Sequence, residues 1–448
     1  MRVRQSLTAV IVAALTVPLL PAPAAHAAAT GVRINEVESS GGSPGDWVEL
    51  TNTGTTAVRL AGWVVKDNDD AHQYVIGGGV SLAPGAYLAV DVEGAFGLGS
   101  ADSVRLYEPG GILADSYTWS SHASSTYGRC PNGTGSFVTT SAATKGTANA
   151  CPPPPPAAWP GGSAVANADA SNAFGENLSG LSYESASVVW AVRNGAGTLY
   201  RLTPNGTTWQ KAATYTLRYA NGSGDPDAEG VVVTPDGIMV VTERDNAKSG
   251  TSLQKILRYN PSGSTVNASA EWNLTADLPG TAANSGLEAI AWVPDTALVA
   301  AGFRDERTGG AYTPSSYAGH GTGLYLVGAE ATGTVYAYAL NLAGTAYTRV
   351  AAFPTGLAAV MDLEYEPSTG RLWAACDDTC SGRSTTLTIN AQGTFAPTAT
   401  YNRPSGMSNY NNEGLAFSPA CSGGTKQVLW ADDSNDNGHA LRSGTLSC

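Results

Sequence analysis

From about residue 163 onward, short apolar runs come in pairs separated by tight turns. The first member of each pair follows one theme: Ser179-Gly180-Leu181-Ser182-Tyr183, Glu229-Gly230-Val231-Val232-Val233, Glu288-Ala289-Ile290-Ala291-Trp292, Met361-Asp362-Leu363-Glu364-Tyr365 and Glu413-Gly414-Leu415-Ala416-Phe417. Pro235, Pro294, Pro367 and Pro419 stand at the same offset in four copies, and Ser185 in the first. The second members are Val188–Val192, Ile238–Thr242, Leu298–Gly302, Leu372–Cys376 and Val428–Ala431. Turn residues such as Pro235-Asp236-Gly237 join the members, which is the signature of a β-hairpin.

Weaker runs supply a third and a fourth strand, such as Lys255–Tyr259 with Glu271–Leu274. Four strands per repeat at this period predict propeller blades around a central channel. The theme counts five blades, with six as the alternative. The wider gap before Met361 is assigned to an insertion, Arg304 to Gly323, and its His320 is expected in a solvent loop. The last repeat is short, so a strand near Ala164–Asp169 is expected to complete it and close the ring.

The segment 29–150 shows a different pattern. Short runs at Val32–Val37, Trp47–Leu50, Trp63–Val65, Tyr87–Val90 and Ser103–Tyr107 lie between Gly, Asn, Asp and Pro turns, with no sustained helical stripe. This predicts a β-sandwich. The chain is therefore expected to be all-β, with two domains. Trp47 and Trp63 are expected in its core or turns, and Glu36, Asp46 and Glu49 at edges or caps.

Two segments are set apart from both domains. Residues 1–28 combine Arg2 and Arg4, an apolar run from Leu7 to Leu20 and the small-residue site Ala25-His26-Ala27, which predicts a secretory signal peptide. Residues 151–162 open on consecutive prolines and predict a semi-rigid linker. No other apolar stretch is long enough for a membrane span. A secreted, extracellular protein is expected, with its six cysteines in disulfides; proximity suggests Cys130–Cys151, Cys376–Cys380 and Cys421–Cys448.

The formal charge of −13 becomes −15 once the two arginines of the signal peptide are subtracted. An acidic surface argues against nucleic acid or anionic lipid as partners. Antiparallel pairing puts first-strand starts beside second-strand ends, so their acids meet on one rim of the channel. The first set is Asp227, Glu229, Glu288, Asp362 and Glu413. The second is Glu243, Asp245, Asp305, Asp377 and Asp432. Converging carboxylates repel one another unless a cation compensates them, and hard oxygen ligands favour Ca²⁺ over zinc. These ten residues are the candidate metal ligands. The alternative is that they cap strand ends and pair with Arg193, Arg244 and Arg304. Asp433-Ser434-Asn435-Asp436-Asn437-Gly438 matches the first half of a calcium loop, but Gly444 stands where the closing glutamate belongs, so a plain turn is expected.

Two resemblances refine this picture. Ile34-Asn35-Glu36-Val37, Asp46-Trp47-Val48-Glu49-Leu50, Asn52-Thr53-Gly54, Leu60-Ala61-Gly62-Trp63, Ala86-Tyr87-Leu88, Leu98 to Leu106 and Asp115-Ser116-Tyr117 together resemble the lamin tail domain. That resemblance implies an immunoglobulin-like sandwich acting as an accessory or attachment module. Asn177 to Tyr183, Asp227 to Val231, Thr242 to Asn246 and Asn412 to Phe417 resemble the phytase-like β-propellers, including the esterase-like phytases. That likeness implies acidic residues around the channel holding several Ca²⁺ ions that bind phosphate and activate water. Carried over by position, the candidates are Asp227, Glu229, Glu243, Asp245, Glu288 and Glu413. Catalytic roles fall to Glu229, Glu288 and Glu413. Ser179 and Met361 depart from the glutamate of the theme, and Lys and Arg clusters for a highly phosphorylated substrate are sparse.

No G-x-S-x-G elbow is present, which removes the usual serine esterase arrangement. Paired rim carboxylates remain compatible with glycoside cleavage. Three functions stay open: a Ca²⁺-dependent phosphoester hydrolase acting on a phosphorylated small molecule, a non-enzymatic propeller binding an extracellular surface ligand, and a structural protein with calcium as a staple. A monomer is expected.

Overall fold

The structure, a computed structural model, describes residues 31–448. The signal-peptide expectation lies outside the described residues. Two compact units emerge, one ending at Pro153 and the other running from Pro154 to Cys448. No helix among the described residues is long and apolar enough to cross a membrane. The disulfides are Cys130–Cys151, Cys376–Cys380 and Cys421–Cys448, which is compatible with an extracellular protein.

The first unit packs two antiparallel sheets. One orders Ser136–Thr139, Tyr127–Cys130, Val32–Glu38, Trp47–Asn52 and Tyr87–Asp91. The other orders Tyr74–Val75, Val64–Lys66, Asp102–Tyr107 and Leu113–Trp119. Alternation puts Val32, Ile34, Val48, Leu50, Val65, Val104 and Leu106 into one apolar core with Trp63. Trp47 and Trp63 are both buried, as core residues rather than ligand platforms. Glu36 and Glu49 depart from the edge-or-cap expectation: each is fully buried. Glu36 accepts from the Thr126 hydroxyl and from Thr144 N at 3.2 Å, and Glu49 accepts from Asn35 Nδ2 at 2.9 Å and Gly146 N at 2.6 Å.

The second unit holds five large sheets: four have four antiparallel strands, and the one that begins at Leu178 adds Thr265–Asn267 as a fifth strand, parallel to Thr208–Arg218. Their first strands are Leu178–Ser185, Pro226–Thr234, Leu287–Pro294, Asp362–Glu366 and Asn412–Phe417, the five copies of the theme; the sheets are called blades one to five in that order. Each first strand packs against the first strands of both neighbouring blades, so the five form a closed ring. Ala166–Asn167 pairs with Leu441–Ser447 and supplies the outer strand of blade five, joining the two ends of the ring. The theme's glycine has a steric cause. A Cβ on Gly180 would lie 2.5 Å from the Glu229 carbonyl oxygen, and one on Gly230 would lie 2.6 Å from that of Glu288. Only glycine lets these backbones approach so closely, and the approach sets neighbouring theme acids side by side.

Three expectations fail here. The run Leu298–Gly302 is not a strand: Asp295–Ala300 forms a short α-helix, and the second strand of blade three is Gly323–Ala329. A short apolar run fits either element, and this one begins with Asp in the first helical turn and is rich in alanine. The insertion is also not a solvent loop. Phe303, Tyr312 and Tyr317 are buried in the core between blades three and four. His320 is buried too, with Nε2 3.0 Å from Asp295 Oδ2 and 3.2 Å from the Tyr312 hydroxyl. The linker, likewise, is shorter than expected. Trp159 is buried among Trp373, Met407 and Trp430 and donates to Thr445 O at 2.8 Å, while Ala157 pairs with Tyr401.

Candidate metal centre

The first strands do not enter the ring as regular strands. Pairing slips at the start of four of them, between Leu178 and Leu181, Ala228 and Val231, Leu287 and Ala289, and Asn412 and Gly414. Such bulges re-aim a side chain, and three of these four carry the theme's glutamate. Blade four pairs without a slip and has Met361 in that place.

The outcome is convergence. Glu229, Glu288 and Glu413, from blades two, three and five, bring carboxylate oxygens within 4.8 Å of one another. Asp227, Glu229 and Glu243 form a second such group, and Glu243, Glu288 and Glu330 a third. Shared members make these one chain of acids at one mouth of the channel. Arg244 Nε lies 2.5 Å from Asp227 Oδ2 and compensates that carboxylate. Asn194 Nδ2 donates to Glu229 Oε2 at 3.0 Å, Gly286 N donates to Glu243 Oε1 at 2.5 Å, and Asn411 Nδ2 donates to Glu413 Oε1 at 3.3 Å. The donors run out before the acceptors do. Glu413 Oε2, Asp433 Oδ1 and Asn194 Oδ1 are buried oxygens with no hydrogen-bond partner.

Electrostatics follow from this crowding. Burial pushes Glu229, Glu288 and Glu413 well above the usual carboxylate range. Repulsion adds to it, led by Asp227 for Glu229, by Glu229 for Glu288 and by Asp433 for Glu413. Burial also raises Glu243, Glu330 and Asp433. Asp227 is pushed up to about 7 by burial, against the opposing pull of Arg244. Left to themselves these groups keep their protons to higher pH than free carboxyls do. A divalent cation would replace those protons and supply the missing partner for the unpaired oxygens.

Of the ten ligands expected from sequence, Asp227, Glu229, Glu243, Glu288 and Glu413 come together here. The other five do other work. Asp245 caps a turn, accepting from Ala247 N and Asp225 N. Asp305 sits in the insertion at the opposite end of blade three, where it caps Arg307 N and Thr308 N. The misplaced second strand is the cause of that error. Asp362 is buried and staples blades together by accepting from Leu415 N at 2.6 Å, Leu363 N at 2.8 Å and Leu181 N. Asp377 accepts from Thr379 N and its hydroxyl, and its neighbours Cys376 and Cys380 are joined in a disulfide. Asp432 faces Arg442 at 3.3 Å and accepts from Ser434 N and Asp436 N.

Three contributors were missed as ligands: Glu330, at the true second-strand end of blade three, Asp433, next to the chosen Asp432, and Asn194. Of the arginines expected to neutralise the rim, Arg244 does so, while Arg193 donates to the Glu176 carbonyl. The Asp433–Gly438 segment is a turn, with Asn435 and Asn437 in left-handed conformation.

The family description "Lamin Tail Domain" matches residues 25–121, and "Esterase-like activity of phytase" matches residues 173–436. The chain belongs to the phytase-like family. This phytase-like chain carries the lamin tail domain as its first unit, the arrangement its motifs resemble. No curated protein matches it. Similar solved structures include a protein of unknown function from Bacteroides caccae (11% identity, 61% of this chain and 83% of that chain, TM-score 0.33). Another is a functionally unknown protein from Desulfotomaculum acetoxidans DSM 771 (12% identity, 60% and 69%, TM-score 0.32). A protein from Lactobacillus plantarum also aligns (11% identity, 92% and 96%, TM-score 0.30). Similarities at this level carry no argument about fold or function.

Proposed function

We propose that the acidic mouth of the phytase-like unit binds Ca²⁺ and that this secreted protein hydrolyses phosphoesters there. The observation that carries the reading is the convergence of Glu229, Glu288 and Glu413 within 4.8 Å, beside buried carboxylate oxygens that lack any partner. The donor set is all oxygen and largely acidic, which suits a hard cation such as Ca²⁺. Glu229, Glu288 and Glu413 would hold it, with Glu243, Glu330 and Asp433 within reach of the same charge. When bound, the ion would supply Lewis-acid polarisation of a phosphoryl oxygen and a lowered pKa for coordinated water. The residues themselves fix the ion's place: Asn194 orients Glu229, Gly286 N orients Glu243, and Asn411 orients Glu413. The lamin tail domain would serve as an attachment module.

A second reading, a non-enzymatic propeller that captures a ligand at the same mouth, is favoured by one feature. Arg244 is already engaged with Asp227, which leaves little basic surface for an anionic substrate. Metal analysis of the purified protein beside a phosphomonoester panel, with and without EDTA, separates the two. Hydrolysis requires bound calcium and turnover that EDTA removes and that Glu229→Gln and Glu288→Gln abolish. Bound calcium without turnover supports capture, and neither calcium nor turnover sinks both.

A further inference from the structure

Blades two and three are joined by residues 274–286, and the end of this connection lies against the metal centre. Its first part is well anchored. Asp277 Oδ2 accepts from the Tyr338 hydroxyl at 2.7 Å, Asp277 O accepts from Arg349 Nη1 at 3.0 Å, and Leu278 is buried in the core. Leu287, which opens blade three, is buried in the same core. Residues 279–285 between these anchors belong to no strand or helix, and Pro279, Gly280, Ala282 and Asn284 are exposed. Taking the acidic mouth as a cation site, as proposed above, we infer that residues 279–286 form a strap that the bound ion orders onto the rim.

The strap is tied to the rim at its C-terminal end, through groups on which an ion would act. Gly286 N donates to Glu243 Oε1 at 2.5 Å, and Glu330 N donates to Gly286 O at 2.9 Å. Glu243 and Glu330 share one converging group of acids with Glu288. Arg244 supplies the third tie, with Nη1 3.4 Å from Ala283 O while Nε lies 2.5 Å from Asp227 Oδ2. An ion drawn in by Asp227, Glu229 and Glu243 repels Arg244 and competes with it for Asp227. The Ala283 carbonyl is the acceptor already within reach, so the guanidinium turns toward it and shortens a bond that is now long. The ion also fixes the Glu243 side chain, and with it the acceptor of the Gly286 N–H.

A second, independent observation is that the strap is incompletely seated. Thr281 Oγ1 within it is a buried oxygen with no hydrogen-bond partner, and so is Gln254 Oε1, against which Gly286 packs. Gln254 is only 2% exposed, and a Cβ on Gly286 would lie 3.2 Å from its Cδ, so glycine is what allows the close approach. Buried polar atoms are seldom left unpaired, and a small shift of the strap that pairs them is favourable. An irregular, exposed segment between two core anchors moves at low cost, which is where a conformational response is drawn from. Leu278 and Leu287 stay in the core, so the movement is confined to residues 279–286.

Hydrogen exchange of the full chain with and without Ca²⁺ reads the strap, while titration calorimetry on the same sample reads calcium binding. Calcium is expected to slow exchange at the amides of residues 280–284 by about tenfold or more, and to leave Asp236 and Gly237, in the turn at the far end of blade two, unchanged. Elastase, whose specificity pocket admits small side chains, should nick the unaltered chain at Ala282 or Ala283 more slowly once calcium is bound, a readout that needs no variant. Arg244→Met removes both the tie to Ala283 and the competitor of the ion. It should bind calcium at least as tightly as the unaltered chain and lose most of the protection at 280–284. Calcium binding without slower exchange at 280–284, equal slowing at Asp236 and Gly237, or full protection in Arg244→Met overturns the strap and leaves the metal site standing. Absence of calcium binding overturns both.

Discussion

Both units bury carboxylates, and one set in each is treated in the opposite way to the other. In the lamin tail domain Glu36 and Glu49 are surrounded by donors. Thr126, Thr144, Asn35 and Gly146 N reach them, and Asn35 is itself held by Asn149 Oδ1 at 2.9 Å. At the mouth of the propeller, Glu229, Glu288 and Glu413 face one another, and Glu413 Oε2 and Asp433 Oδ1 have no partner. Burying a carboxylate is costly unless donors or opposite charge compensate it. The first set is complete within the protein and serves stability. The second is incomplete, and its incompleteness points to a cation.

The largest expected effect separates the units by calorimetry. Calcium at 100 to 1,000 times its Kd should stabilise the propeller by about 3–4 kcal/mol and leave the melting of the lamin tail domain unmoved. A shift of both transitions, or of neither, breaks the contrast. Next, Glu36→Ala strips an acceptor from Thr126 and Thr144 and should cost the lamin tail domain about 3 kcal/mol, read by denaturant unfolding, without altering calcium affinity. Asp362→Ala probes the contrast inside the propeller. This acid has backbone donors from three blades, so its loss should cost about 2 kcal/mol while calcium affinity stays within about twofold. An affinity loss as large as that of Glu229→Gln would return Asp362 to the ligands.

pH gives a graded version of the same contrast. Asp227 and Glu49 are both raised to about 7 in the folded protein by burial. Groups raised on folding favour the folded state below their unfolded values, near 4, and that contribution fades as pH climbs through 7. Metal-free protein should therefore lose stability in both units between about pH 4 and 7. Calcium should flatten the loss in the propeller alone, as a Tm series will show. The smallest effect is expected for Asp305→Asn. Its turn bonds are worth about 1 kcal/mol, and calcium affinity should not change.

Much of this was legible in the residues. The theme marked every inner strand, and its glycine reflects how closely those strands approach. Antiparallel pairing was enough to bring Asp227, Glu229, Glu243, Glu288 and Glu413 to one mouth. What sequence could not show was competition for each acid. Asp362 and Glu413 occupy neighbouring positions of the theme, but backbone N–H groups from three blades claim the first, and the second is left partly unpaired. Asp432 and Asp433 are adjacent, and Arg442 takes one of them. Glu330 stayed hidden because the six-residue helix at Asp295 read as a strand and displaced the end of blade three. Trp159 looked like linker because nothing in its local sequence announces Trp373 and Trp430 as partners.

Titration calorimetry of Ca²⁺ into the metal-free protein at about pH 6, in two buffers of different ionisation enthalpy, tests the central claim most directly. Saturable binding with release of protons is predicted, because raised carboxyls must ionise to take the ion, and a Glu229→Gln, Glu288→Gln double variant should show neither. Absence of binding heat, or equal binding by the folded double variant, would contradict it.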